Sequence, residues 1–135
     1  MGSPSVALAL ALAAAAVALS AAAARADPMQ IAVLRALDKV SARVSVLEVP
    51  VGKTVDFGTL EITARACDKR PPEETPESAA FLEIVDKRPG LAPTTPFIGW
   101  MFASSPALSA MEHPVYDDWV LDCKNAPSAA SESSP

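Results

Sequence analysis

The side chains best suited to chemistry are concentrated in one segment, Phe97–Cys123, near the carboxyl end of the chain. This segment holds both tryptophans, the only histidine (His113) and the only tyrosine (Tyr116). A histidine close to carboxylates is a common composition for an acid–base site, so the first combination to consider is His113 with Asp117 or Asp118. These residue types can also bind a metal ion.

Neither chemistry has a complete set of residues. The candidate nucleophiles, Ser104 and Ser105, lack the G-x-S-x-G pattern that exposes a catalytic serine in many hydrolases. A typical zinc site needs three or four ligands, and one histidine beside two aspartates leaves the set short. We therefore assign no catalytic residue, no metal and no cofactor, and keep a small envelope hydrolase or metal-dependent enzyme using His113 as an alternative.

The same segment supports a second hypothesis, a binding surface. Trp and Tyr side chains contribute much of the binding energy in many protein interfaces. The charged, proline-rich stretch Arg70–Glu77 would form the rim of such a surface. The candidate members are Trp100, Met101, His113, Tyr116, Trp119, Arg70, Glu73 and Glu74.

A simpler interpretation gives the aromatic side chains to the hydrophobic core. Trp100, Phe102, Tyr116 and Trp119 would then supply its bulk. In that interpretation His113-Pro114 makes a turn, and Asp117-Asp118 lies in solvent or caps backbone amides.

The amino-terminal residues predict a cellular address. From Val6 to Ala24 the sequence is almost entirely Ala, Leu and Val, and Ala24-Arg25-Ala26 fits the cleavage site of a secretory signal peptide. We expect residues 1–26 to be removed on export to the periplasm. Because the apolar run is long enough to cross a bilayer as a helix, an uncleaved membrane anchor is the alternative.

Export changes how the two cysteines, Cys67 and Cys123, are interpreted. In an exported domain two cysteines most often form one disulfide, whereas a redox or metal pair would need closer spacing or more ligands. We predict a structural Cys67–Cys123 disulfide, which would contribute about 4 kcal/mol in the chain-entropy model.

The charge of the chain excludes one class of partner. The formal net charge is −5, and loss of Arg25 with the leader would make it about −6. An acidic protein without a basic stripe lacks the phosphate contacts that drive nucleic-acid binding. We expect another envelope protein as the partner, no nucleic acid, and membrane contact only if the leader is retained; the oligomeric state is left open.

Short alternating segments separated by turns predict a mainly β fold. Ala42, Val44 and Val46 alternate with polar residues, and Val55–Phe57 and Leu60–Ala66 flank Gly58-Thr59, which fits a tight hairpin. Further strands are predicted at Phe81–Val85, Phe97–Phe102 and Tyr116–Cys123, while Ile31–Leu37 is readable as helix or strand. The six or seven strands indicate a small antiparallel sandwich or barrel.

The domain boundaries follow from composition. Residues 27–124 would form the β domain. Residues 125–135 lack large apolar side chains and would form a disordered tail.

Several long motifs resemble a known family. They are Val55–Ile62, Ala66–Pro76, Gly99–Ala110, His113–Asp117 and Trp119–Cys123. Together they resemble a family of small exported alphaproteobacterial proteins classified as domain of unknown function 2155. The resemblance implies an envelope location and a single domain with these two cysteines, and it implies no reaction. Our leading hypothesis is a non-catalytic binding or accessory module of the periplasm, with a membrane-anchored accessory subunit of an envelope complex as a further alternative.

Overall fold

The computed structural model describes residues 26–127. The predicted signal peptide lies outside the described residues apart from Ala26, and the predicted tail overlaps them only as far as Pro127. The strands are β1 (Asp27–Pro28), β2 (Ile31–Asp38), β3 (Arg43–Pro50), β4 (Thr54–Phe57), β5 (Leu60–Lys69), β6 (Ser78–Asp86), β7 (Thr94–Phe102) and β8 (Tyr116–Lys124), with a 3₁₀ helix at Pro106–Leu108. Within this range no helix has the length and apolar character needed to span a bilayer.

The strands form two antiparallel sheets that face each other across one core, which confirms the predicted fold class. The larger sheet has five strands in the order β1-β5-β6-β7, and β4 also pairs with β5. The smaller sheet has the order β3-β2-β8. Residues 26–127 contain eight strands rather than six or seven, because the two-residue β1 pairs with the end of β5 through Asp27 and Pro28.

The hairpin between β4 and β5 forms at the predicted place. Phe57 pairs with Leu60, so Gly58 and Thr59 make a two-residue turn, and Gly58 has a φ of 58°. Glycine reaches this left-handed conformation without a steric penalty. A methyl group at Gly58 would also overlap the ring of Tyr116, which packs directly over the turn.

Aliphatic side chains build the core, and the two tryptophans stay outside it. The fully buried large side chains include Leu34, Val49, Leu60, Ile62, Leu82, Ile84, Met101 and Val120. Trp100 is 38 % exposed, and Trp119 is half-buried on the strand face opposite Val120. The prediction that Trp100 and Trp119 fill the core is therefore wrong.

Strand β3 forms where the alternation predicts it, but Val44 and Val46 point to solvent. They are 55 % and 58 % exposed, and Val49 is the buried residue of the strand. Both faces of β3 carry apolar residues, since Leu47 and Val49 follow on the opposite phase. Alternation alone cannot choose between two apolar phases, and the pairing with β2 decides which one faces the core.

The predicted disulfide is confirmed. Cys67 on β5 and Cys123 on β8 are bonded, with their Cα atoms 5.7 Å apart and a separation of 56 positions in sequence. Their exposed fractions are 1 % and 0 %. Because β5 belongs to the five-stranded sheet and β8 to the three-stranded sheet, the bond joins the two layers directly.

Candidate functional site

His113 is a buried structural residue with both ring nitrogens engaged. It precedes β8, its side chain is 4 % exposed, and its Nε2 lies 2.7 Å from Asp86 Oδ2. Its Nδ1 accepts the backbone N–H groups of Val115 and Tyr116 at 3.0 and 3.1 Å. Since a backbone N–H can only donate, Nδ1 carries no proton, and the proton of the neutral ring is on Nε2 and is donated to Asp86.

The carboxylate partner of His113 is Asp86, at the end of β6, instead of Asp117 or Asp118. Asp86 is 1 % exposed and also accepts hydrogen bonds from Thr59 Oγ1 at 2.6 Å and Arg88 Nε at 3.0 Å. Burial opposes its ionisation, but the hydrogen bonds from His113, Thr59 and Arg88 outweigh burial and lower the pKa of Asp86. The pair thus ties the β4–β5 turn, the end of β6 and the start of β8 together.

The candidate nucleophile Ser104 does not meet His113. Its hydroxyl donates to Glu77, and its backbone N–H donates to Glu77 Oε1 at 3.1 Å. Glu77 also accepts the backbone N–H of Ser78 at 3.0 Å. Burial raises the pKa of Glu77, but these hydrogen bonds lower it by more, so the pKa of Glu77 lies below its ordinary value. The same hydrogen bonds anchor the start of β6 to the segment after β7.

Asp118 lies in the core, contrary to the expectation that it would be solvated or cap backbone amides. It is 3 % exposed, and neither carboxyl oxygen has a hydrogen-bond partner among the described residues. Burial, with the neighbouring charge of Asp117, raises the pKa of Asp118 to about 7. Among residues 26–127 no group of three or more His, Cys, Asp or Glu side chains is placed to share a metal ion.

The predicted binding surface does not form as one surface. Met101 is 2 % exposed and His113 is buried, so neither is available to a partner. Tyr116 is half-buried, with its ring centroid 5.1 Å from that of His113 and 5.7 Å from that of Phe57. Trp100 and Trp119 lie on the outer faces of different sheets, so a single flat surface cannot include both.

One outer face retains part of the predicted surface. We call Phe81, Ile98, Trp100 and Phe102, on the outer side of β6 and β7, the aromatic face. Phe81 is paired with Trp100, and their rings meet edge to face with centroids 5.6 Å apart. Ile98 is 62 % exposed and Trp100 is 38 % exposed. The sequence analysis did not include Phe81 or Ile98 in the binding surface. Phe81 lies beside Trp100 through strand pairing, and Ile98 precedes Trp100 by two residues on the same face of β7.

A cavity of about 350 Å³ borders the aromatic face and the loop after β5. Its lining residues are Ala26, Asp68, Arg70, Glu77, Ala79, Trp100 and Phe102. A second cavity of about 400 Å³ lies on the other side of Arg70, with the ring atoms of Pro71, Pro72 and Pro76 in its wall. Glu74 lines this second cavity, and Glu73 is exposed at the tip of the loop. Of the predicted rim residues, Arg70 lines the same cavity as Trp100.

The loop Arg70–Glu77 has a defined shape. The N–H of Arg70 donates to the carbonyl of Glu77 at 3.0 Å, which closes the loop at its base. The N–H of Glu74 donates to the carbonyl of Pro71 at 3.0 Å, which makes a turn at its tip. The cavity walls are thus held by backbone hydrogen bonds as well as by the three prolines.

The fold and these surfaces define a small, disulfide-closed β-sandwich that exposes aromatic residues on a sheet. The chain belongs to the family described as "Uncharacterized protein conserved in bacteria (DUF2155)", whose model matches residues 32–123. It is 31 % identical over 88 residues to "Uncharacterized protein RP359" of Rickettsia prowazekii (strain Madrid E), which is 65 % of this chain and 57 % of the relative. The chain thus spans little more than half the length of that curated relative. No solved structure matches.

Proposed function

We propose that this chain is a non-catalytic binding module of the bacterial cell envelope, exported to the periplasm, that docks on another envelope protein through the aromatic face. The observation that carries the proposal is the exposure of Ile98 and Trp100, at 62 % and 38 %, on the outer side of a sheet. The outer face of a solvated antiparallel sheet is normally polar, so an aromatic one marks a contact surface.

The surroundings of Trp100 have the composition of a protein interface. The aromatic face offers a ring pair that is already packed, and therefore loses little side-chain freedom on binding. The adjacent cavity can receive a side chain of the partner. Arg70 and Glu77, which line this cavity together with Trp100, supply a charged rim, which is the usual arrangement around an apolar contact.

The chemistry of the described residues favours binding over catalysis. A general base needs a nitrogen or oxygen that can exchange a proton with a substrate. Both nitrogens of His113 already make hydrogen bonds, and Asp86, its partner, is excluded from solvent. Ser104 is held by Glu77. None of these groups forms the nucleophile–base pair that a hydrolase would use.

Two features support an envelope location. The apolar run ending in Ala24-Arg25-Ala26 is typical of a cleaved secretory signal. The buried Cys67–Cys123 bond is of the kind that forms and persists in an oxidising compartment. If the leader is retained instead, the same module would act as a membrane-anchored accessory subunit, so the mature mass distinguishes the two forms. A mass starting at Asp27 supports cleavage.

Site-specific photo-crosslinking tests the docking surface. A photoreactive phenylalanine analogue replaces Ile98 in cells of the native host, and the envelope fraction is analysed for crosslinked products. The matched control places it at Leu91, which is 64 % exposed in the β6–β7 connection, outside the aromatic face. We expect a discrete crosslinked protein from position 98 alone, and at least a tenfold loss of it when Trp100→Ala is added. Equal products from both positions, or no effect of Trp100→Ala, would contradict the proposal.

A further inference from the structure

The outer face of the three-stranded sheet is also largely apolar. Its strand pairing places Val44 beside Leu37 and Asp117 in one row, and Val46 beside Arg35 and Trp119 in the next. We call these six residues the second face. Val44 and Val46 are both more than half exposed, and Leu37 and Trp119 are half-buried. This face lies on the opposite side of the sandwich from the aromatic face, so one partner cannot cover both.

Two opposite charges lie on the second face without joining each other. Arg35 is exposed and forms no salt bridge with any residue of the described range. Asp117 forms none there either, and its Oδ1 accepts only the N–H of Asp118, at 2.9 Å. Elsewhere on the same outer face Lys124 and Glu48 do form an ion pair. Arg35 and Asp117 therefore each retain capacity for a partner.

We propose that a second copy of this chain packs on the second face, related by a two-fold axis. In a two-fold interface, if one residue contacts another across the axis, the reverse contact is also made. Arg35 of each copy would meet Asp117 of the other, forming two equivalent ion pairs. Val44, Val46, Leu37 and Trp119 would surround them and exclude water, which strengthens the charge pairing.

Charge complementarity favours a second copy as the occupant. A partner chosen for Arg35 alone would need an acid, and one chosen for Asp117 alone would need a base. A second copy supplies both at the required spacing, because the pattern is its own complement under the two-fold rotation.

The size of the face sets the expected strength of the dimer. Two strands of eight residues and one of nine project to roughly 14 by 26 Å, about 370 Å², using ordinary strand spacing and rise. Standard interfaces bury about 800 Å² on each partner, so this face corresponds to a weak, concentration-dependent dimer, and we expect a dissociation constant of order micromolar or weaker. The copy on this face leaves the aromatic face open, so dimerisation and docking are independent.

Sedimentation equilibrium of the oxidised protein recovered from the envelope tests the proposal across roughly 1–500 μM, a range that brackets a micromolar constant. We expect Arg35→Glu alone and Asp117→Lys alone each to weaken dimerisation at least tenfold. An equimolar mixture of the two variants should dimerise again, because each supplies the charge that the other lacks. The control is Lys53→Glu, an equal change of charge at an exposed turn residue, which should leave the dimer unchanged.

The mixing experiment gives an outcome specific to this interface. A protein that stays monomeric at every concentration overturns the proposal, as does a dimer that ignores both charge changes. A dimer lost in both variants but not restored by mixing excludes the Arg35–Asp117 pairing. Val46→Lys, which changes the apolar row and no ion pair, should also give monomers, and circular dichroism confirms that each variant is folded. Crosslinking from position 98 should persist in all of them, which separates failure here from failure of the docking proposal.

Discussion

His113 Nε2 donates to Asp86 Oδ2 over 2.7 Å, with both side chains excluded from solvent and their residues 27 positions apart in sequence. Sequence proximity suggested a different partner, Asp117 or Asp118, and with it a reactive site. The observed pair is closed on every side by Thr59, Arg88 and two backbone N–H groups. The role of this pair is structural, because it joins the β4–β5 turn, the end of β6 and the start of β8 at one end of the sandwich.

Replacing His113 by Ala should destabilise the fold. The change removes the His113 donor from the buried Asp86 carboxylate and leaves two backbone N–H groups without an acceptor, and we expect a loss of roughly 3 kcal/mol. Urea unfolding followed by tryptophan fluorescence measures it. The control is Glu112→Ala, at the neighbouring exposed position, where the change should stay below about 0.5 kcal/mol. A His113→Ala protein as stable as the native one would contradict the structural role.

Asp118 should make stability fall as pH rises. Its folded pKa of about 7 lies above the ordinary pKa of an aspartic acid, 3.8, so between these values the folded state holds a proton that the unfolded state has lost. The contribution of Asp118 to the free energy of unfolding is complete below about pH 4 and is lost as the pH rises to about 7, above which it stays constant. The total loss is roughly 4 kcal/mol at most. Urea unfolding at pH 5 and pH 8 measures the decline.

Asp118→Asn provides the comparison for this titration. The variant cannot ionise at position 118, so its stability should change less between pH 5 and pH 8 than that of the native protein. Asp56→Asn, at an exposed position on β4, is the control and should retain the native decline. Parallel pH profiles for the native protein and Asp118→Asn would show that Asp118 does not titrate in this range.

Removing the disulfide should destabilise the sandwich by about 4 kcal/mol, as the chain-entropy model gives for a loop of this length. Cys67→Ala combined with Cys123→Ala removes it without leaving free thiols. The midpoint of urea unfolding should fall, while the native protein treated with a reductant should approach the same midpoint. A variant that lost less than about 1 kcal/mol would mean that the bond adds little to the packing between the sheets.

Gly58→Ala should cost more than Gly90→Ala. Both glycines have positive φ, 58° and 77°, so both substitutions carry the backbone penalty of a left-handed alanine, about 1 kcal/mol. Only at Gly58 does the new methyl group meet another residue, Tyr116, whereas Gly90 has open space around it. The difference between the two unfolding free energies therefore measures the packing of Tyr116 on the turn, and equal losses would contradict this contact.

The sequence predicts the parts of the fold that depend on local signals. Gly58-Thr59 between two alternating runs is sufficient to predict the hairpin, because turn chemistry and strand pairing coincide there. The Cys67–Cys123 bond follows from the number of cysteines together with the predicted export signal. The antiparallel β class follows from short strands and frequent turns.

The arrangement of the site depends on pairings that local signals do not contain. Trp100 and Trp119 face opposite sides because β7 pairs with β6 while β8 pairs with β2. Asp118 is buried because the phase of β8 places Val120 in the core, and the same phase turns Trp119 outward. The partner of His113 is found only once the end of β6 and the start of β8 are brought together by the two sheets.

The position of β2 between β3 and β8 links the beginning of the domain to its end. β8 runs to Lys124 and contributes Val120 and Cys123 to the core, so the three-stranded sheet lacks one of its strands until these residues have been synthesised. Pairing between such distant segments is a slow step in folding. A nascent chain of this sequence therefore cannot complete the three-stranded sheet until translation has passed Lys124.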